Sequence, residues 1–140
     1  MKSETSTRAL IFRILMLLYI FAVGFLCFNN FKDIPDEIPK FFFGIPIDKV
    51  VHFCMFFPFP VLGFFSFDHW KWGTAQTIGN ITSLAAYGCV FAGLTELVQS
   101  VLPYRTQDIA DFKADALAVC IASVFVLIFD LFVVKHPKKQ

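Results

Sequence analysis

Asp48 and His52 stand one helical turn apart, Glu96 and Gln99 are three residues apart, and Arg105, Asp108, Asp111 and Asp115 follow one another in steps of three, three and four. Side chains at these spacings share a helix face, so each set can act together, and Arg105 can pair with Asp108 if their segment is helical. A carboxylate beside an imidazole orients a general base, a second carboxyl nearby can complete acid–base chemistry, and a guanidinium can neutralise a phosphate oxygen. Each residue also has a plainer reading. His52 alone fits an interfacial residue satisfied by water or a carbonyl, and the three aspartates fit the solvated start of a helix, where negative charge is favoured. Glu96 resists such a reading, because it lies roughly 7.5 Å inside Val101 by helical rise within an apolar run. Charged and alone there, it would cost several kcal/mol, so it needs a partner, water or neutralisation. His52 and Arg105 are the candidate partners.

The surroundings of these groups are lipid-like. Of 140 residues, 57% are hydrophobic and 16% charged, and 20 are phenylalanine. A soluble domain carries roughly 25% charged residues, and one of this length has too little interior for so much apolar surface. Disorder is excluded by the same composition. Nucleic-acid binding is excluded by the balance of 12 basic against 11 acidic residues. Crossing about 30 Å of hydrocarbon takes about 20 apolar residues, and four segments approach that length: 9–28, 50–67, 78–101 and 116–134. Backbone groups in lipid must be paired within a segment, and alternating strands of barrel type are absent, so an all-α, integral membrane four-helix bundle of one domain is expected. The first apolar stretch is longer than a signal-peptide core, and no small-x-small cleavage site follows it, which favours a retained anchor.

Four spans put the termini and the second loop on one side. Lys2, Arg8, Arg13, Lys71, Lys135, Lys138 and Lys139 fall there, against Lys32, Lys40, Lys49, Arg105 and Lys113 on the other. The positive-inside rule therefore predicts both termini in the cytoplasm and the polar groups of 48–52, 96–99 and 105–115 at the extracytoplasmic face. Trp70 and Trp72 flank Lys71 as interfacial anchors do. Arg13 and Asp130 lie near the cytoplasmic boundary, where each can snorkel separately or the two can clamp the first helix to the last. The first loop carries Asp33, Pro35, Asp36, Glu37 and Pro39, and its Phe41–Pro46 stretch suits an interfacial rest more than a dip into the protein. Cys27, Cys54, Cys89 and Cys120, one per span, lack metal-ligand spacing and are read as small apolar packing groups.

The same residues resemble the VanZ-like family of small bacterial membrane proteins. The likeness consists of Asp48-Lys49-x-x-His52, Glu96-x-x-Gln99, Pro103-x-Arg105-x-x-Asp108-x-x-Asp111 and Asp115, over about Asp48 to Ala122. The family often has Asn where Asp115 stands, and small glycines where this chain has Ala116, Ala118 and Ala122, which implies slightly looser helix packing here. The resemblance implies an envelope role in the bacterial cytoplasmic membrane. Founding members of the family are associated with resistance to teicoplanin-type glycopeptides.

The leading expectation is an intramembrane enzyme acting on the head group of an envelope lipid, such as a phospholipid or a lipid-linked, phosphate-bearing carrier. His52, Glu96, Asp48 and Asp111 are the catalytic candidates, with Asp48 orienting His52 and Glu96 a second acid–base group. Lys49, Gln99, Arg105, Asp108 and Asp115 are the substrate-binding candidates. No metal ligand is assigned: Asp108 and Asp111 could hold a divalent ion through oxygen, but carboxylate pairs are common without one. The alternative is a non-catalytic membrane factor binding a lipid intermediate, drug or partner protein through the same groups. A small transporter ranks third, since no repeat and no polar relay across the membrane is present. The spacings name no cofactor and set no oligomeric state.

Overall fold

The computed structural model describes residues 2–29, 40–67, 72–105 and 108–134, with side chains described from Thr7 to Phe132 within those ranges. The acids and prolines of 33–39, Trp70, Lys71 and the basic tail from Lys135 lie outside the described residues. Helix α1 runs Lys2–Phe28, α2 Ile47–Phe56, α3 Pro58–Phe65, α4 Thr74–Ser100 and α5 Ile109–Phe129, followed by one π turn over Asp130–Val134. Four stretches are long and apolar enough to cross a membrane: Thr7–Phe28, Ile47–Phe65, Thr74–Ser100 and Ile109–Phe132. The expected four-span helical membrane fold is present, with two local differences.

The second span is two helices. Pro58 and Pro60 have no N–H to give to the carbonyls one turn earlier, which interrupts the helical ladder between α2 and α3. Phe57 keeps helical dihedrals (φ −55°, ψ −40°), so the chain is interrupted without reversing. Beside the break, the Tyr19 hydroxyl donates to the Met55 carbonyl at 2.6 Å and ties α1 to this span.

The last span starts at Ile109, seven residues earlier than the apolar run that marks it in the sequence. Asp108 caps it, its Oδ1 accepting from the Ala110 N–H at 2.8 Å. Asp111 and Asp115 therefore sit in the first two turns of this helix, on its buried face. Arg105 precedes that helix, so the expected four-residue stripe is reduced to Asp108, Asp111 and Asp115.

Helix α5 packs against α2, α3 and α4, and α1 lies outside them against α3 and α4. Small residues make the close approach between α4 and α5: Ala92, Ala118 and Ala122 are fully buried, and Val119 presses on Gly88. The main core gathers Val23, Cys27, Phe56, Ala92, Ala118 and Val119, and a second cluster gathers Phe64, Ile81 and Val126. Leucines and phenylalanines of α1 such as Leu17, Leu18 and Phe21 face outward, as a lipid-facing surface requires.

At one end of the bundle the Arg13 Nε donates to the Ser66 carbonyl, and the Thr77 hydroxyl donates to buried Asp130. Arg13 thus joins α1 to the end of α3, while Asp130 joins the last span to the start of α4. Trp72 packs on Phe64 and Phe67 at that same end. At the opposite end Phe41–Phe42 and Ile45–Pro46 form a small antiparallel hairpin running directly into α2. Phe43 (φ 50°) and Gly44 (φ 80°) make its turn, and Phe43 is 93% exposed.

Candidate functional site

The site lies at the hairpin end, where the last turns of α1 and α4 meet the first turns of α2 and α5. On α2, Asp48, Lys49 and His52 follow one another along the first two turns. His52 is buried and faces α5, where Asp115 has no exposure. Its Nδ1 lies 3.1 Å from Asp115 Oδ1 and 3.3 Å from Oδ2. An ionised carboxylate only accepts, so Nδ1–H is the donor of this bond, and in the neutral imidazole the Nε2 lone pair is left available. Nε2 points toward Asp111 Oδ2 at 3.8 Å, too far for a hydrogen bond.

The orienting role expected of Asp48 therefore falls to Asp115. The Asp48 side chain is largely exposed and bonds to Lys49 at 2.9 Å. Asp115 is enclosed, and a buried carboxylate must find a donor, which His52 supplies.

Lys49 is the hub of the polar rim. Its Nζ donates to Asp48 Oδ2 at 2.9 Å, Asp108 Oδ2 at 2.5 Å and Asp111 Oδ1 at 2.6 Å, which uses all three ammonium hydrogens. This network staples α2 to α5, and it commits to aspartates a charge that was assigned to substrate. Asp108 takes Lys49 as its ion partner where Arg105 was expected. The Lys49 ammonium, with the Ala110 N–H, holds the Asp108 carboxyl below the usual carboxylate range.

Glu96, on α4, is 4% exposed, and neither of its carboxylate oxygens has a hydrogen-bond partner. Its Oε1 is 4.0 Å from His52 Nδ1. Thr95 beside it turns its hydroxyl to the Ala92 carbonyl. Ligand atoms of His52, Glu96 and Asp111 all lie within 4.8 Å of one another, as do those of Asp48, Asp108 and Asp111.

Gln99 and Arg105 do different work. A helix leaves its last carbonyls without intrahelical partners. Those of α1 are capped by this end of α4 and the turn after it: Gln99 Nε2 donates to the Cys27 carbonyl, the Tyr104 hydroxyl to Phe28, and Arg105 Nη2 to Leu26 and Asn29. A guanidinium there also meets the negative end of the helix dipole. Tyr104 was not singled out in the sequence; its place beside Arg105 in the turn after a span was the signal available.

Two clefts flank the cluster. One, of about 250 Å³, has His52, Gln99 and Arg105 among walls that include Leu26, Val51 and Met55. The other, of about 220 Å³, is lined by Gly93, Glu96, Asp108, Ile109 and Phe112. Both combine apolar walls with a few polar groups, a form suited to a ligand with a hydrocarbon part and a polar head.

Compared with family models, curated proteins and solved structures, the chain matches none at a significant level.

Proposed function

We propose that this chain is an intramembrane enzyme of VanZ-like type that acts on the head group of an envelope lipid, at the extracytoplasmic face of a bacterial cytoplasmic membrane. The observation that carries the reading is His52: its Nδ1 is held by a fully buried aspartate, its Nε2 lies 3.8 Å from Asp111, and the residue lines a cleft with apolar walls. A fixed imidazole lone pair at the membrane boundary is the equipment for activating a hydroxyl or water toward a head-group linkage, and the unpartnered Glu96 carboxyl completes it. Acyl chains would lie against Val51 and Met55 or Phe112, with the head group toward Arg105. The order of Asp48, Lys49, His52, Glu96, Gln99, Arg105, Asp108, Asp111 and Asp115, similar to the VanZ-like pattern, supports the envelope setting, in which teicoplanin susceptibility is the phenotype to assay.

The polar cluster sits at one end of the bundle, while Ala118, Val119 and Ala122 fill the interior beyond it, which favours local chemistry over transport. The test is a lipid mass comparison of membranes from cells carrying the intact chain, His52→Ala, Glu96→Gln or no chain. A changed lipid species with the intact chain alone, at equal protein levels, is the expected result. Lipid profiles identical in all four would discard the enzyme and leave a non-catalytic factor that binds a lipid, drug or partner.

A further inference from the structure

We infer that His52 Nε2, a Glu96 carboxylate oxygen and Asp111 Oδ2 form a binding site for one divalent transition-metal cation. The placement of the metal rests on geometry alone. Only its use on a lipid head group rests on the reading above, and there the ion takes the Nε2 lone pair, so that in the loaded site His52 serves as a ligand in place of the base.

Metal–nitrogen and metal–oxygen bonds to such ligands are about 2.0–2.2 Å, so two ligands of one ion stand about 3–4 Å apart. The 3.8 Å from His52 Nε2 to Asp111 Oδ2 is too long for a hydrogen bond and falls in that range. All three residues offer a ligand atom within 4.8 Å of the other two, and all three are buried. Glu96 supplies the independent sign. It is enclosed, neither carboxylate oxygen has a hydrogen-bond partner, and Oε1 lies 4.0 Å from the nearer imidazole nitrogen, Nδ1. A cation can satisfy two such oxygens at once, where a single hydrogen-bond donor satisfies one.

The surrounding shell fits the same occupant. Imidazole ligands of metal sites commonly pass their other N–H to a carboxylate, which fixes the ring and strengthens the ligand. Asp115 does this to His52 Nδ1. Asp111 divides its oxygens, giving Oδ1 to Lys49 and leaving Oδ2 for the ion, so Lys49 orients one ligand as Asp115 orients another. The neighbouring trio of Asp48, Asp108 and Asp111 is a different case, because the Lys49 ammonium already stands among its carboxylates.

Charge points the same way. Among the described residues at this end, the carboxylates of Asp48, Glu96, Asp108, Asp111 and Asp115 outnumber the cations of Lys40, Lys49, Arg105 and Lys113 by one, but Glu96, Asp111 and Asp115 are buried and none of the four cations is, so the enclosed groups carry an excess of negative charge. A dication offsets it and presents an open coordination position to a phosphate oxygen. One nitrogen and two oxygen ligands suit zinc or manganese better than calcium, which takes six to eight oxygens. The three ligands come from α2, α4 and α5, so no short spacing in the chain announces them.

The test is titration of the full chain, purified in detergent and stripped with a chelator, with Co²⁺ as a spectroscopic probe and Zn²⁺ as its competitor. One equivalent of Co²⁺ with visible ligand-field bands, displaced by Zn²⁺, is expected. Glu96→Gln and Asp111→Asn, which keep side-chain size, should each weaken it by at least about tenfold. Ser83→Ala, on the exposed face of α4 away from the site, should stay within about twofold of the intact chain. Binding unchanged in both ligand variants, or no saturable binding up to millimolar Co²⁺, overturns the site. If the ion binds as described but no lipid changes in cells, the enzyme reading fails and the metal site stands. If no ion binds and His52→Ala still stops lipid conversion, the metal site fails and the enzyme reading stands.

Discussion

His52 Nδ1 and Asp115 Oδ1 lie 3.1 Å apart across the α2–α5 contact, and the carboxylate has no exposure to solvent. The pair sets both the ring tautomer and the packing of two helices. Replacing Asp115 by Ala removes the acceptor that holds Nδ1–H, so the ring loses its fixed tautomer and orientation, whereas the amide oxygen of Asn can still accept from it. We expect lipid conversion by Asp115→Ala to fall about 10²–10⁴-fold with the protein still accumulating in the membrane, and Asp115→Asn to retain more of it. Asp115→Ala leaves His52 without its partner and should also lower the thermal unfolding midpoint in detergent. Full conversion by Asp115→Ala would falsify the need for an imidazole fixed by this carboxylate.

Lys49 gives a second prediction, in which stability and pH are linked. Its ammonium holds Asp48, Asp108 and Asp111 together, so Lys49→Met leaves these carboxylates to repel one another across α2 and α5. A loss of about 1–3 kcal/mol is expected, mostly from the enclosed Asp111 contact, since the exposed partners are screened by solvent. The double variant Lys49→Met with Asp111→Asn should recover part of it. Asp108 is held ionised below its ordinary range by Lys49, so its folded state binds its proton less readily than its unfolded state. Its stabilisation is therefore complete above the unfolded carboxylate range of about 4 and is lost as the pH falls through the lower folded value. Asp108→Asn should remove that part of the acid-side loss. A midpoint whose acid dependence is identical in the intact chain and Asp108→Asn counts against the linkage.

Packing gives the third. A Cβ on Gly88 would stand 2.8 Å from Val119 Cγ1 and 3.1 Å from Phe59 Cδ1, and Val119 is branched, enclosed and unable to swing aside. Gly88→Ala should cost about 1–3 kcal/mol through overpacking of α4 on α5. Gly79→Ala, on the same helix with nothing within 4 Å, should instead stabilise by up to about 1 kcal/mol because alanine restricts the unfolded chain. Equal unfolding midpoints for the two variants would contradict this helix contact.

Hydropathy was sufficient to find four spans, because 18–25 residues without backbone partners in lipid must form helices whatever their neighbours. It placed the start of α5 too late, since Asp111 and Asp115 lower the local hydropathy and their partners Lys49 and His52, far away in sequence, make their burial tolerable. The same separation explains the exchange of Asp48 for Asp115 as the partner of His52: spacing identifies residues that share a face of one helix, whereas a contact across two helices depends on their packing. Glu96 could be singled out from composition alone, as a carboxyl deep in an apolar run. The use of Gln99 and Arg105 to cap α1 could not be, because a helix end declares its orphan carbonyls but not which neighbour will reach them.

Sidedness supplies the last prediction, and the enzyme reading depends on it. The site and the Arg13–Ser66 and Thr77–Asp130 contacts occupy opposite ends of the bundle, so labelling the two ends of α4 assigns both. Ser100 and Thr74 are exposed at its last and first turns. In a background with Cys27, Cys54, Cys89 and Cys120 replaced, Ser100→Cys should react with a membrane-impermeant maleimide added to intact cells. Thr74→Cys should react only after permeabilisation. The basis is the count in the sequence, seven basic residues in the segments of the termini and second loop against five in the first and third loops, which by the positive-inside rule puts the first set in the cytoplasm. The opposite labelling pattern would turn His52 and Glu96 toward the cytoplasm. An extracytoplasmic lipid head group could then no longer reach them, and the substrate would have to be sought in the inner leaflet.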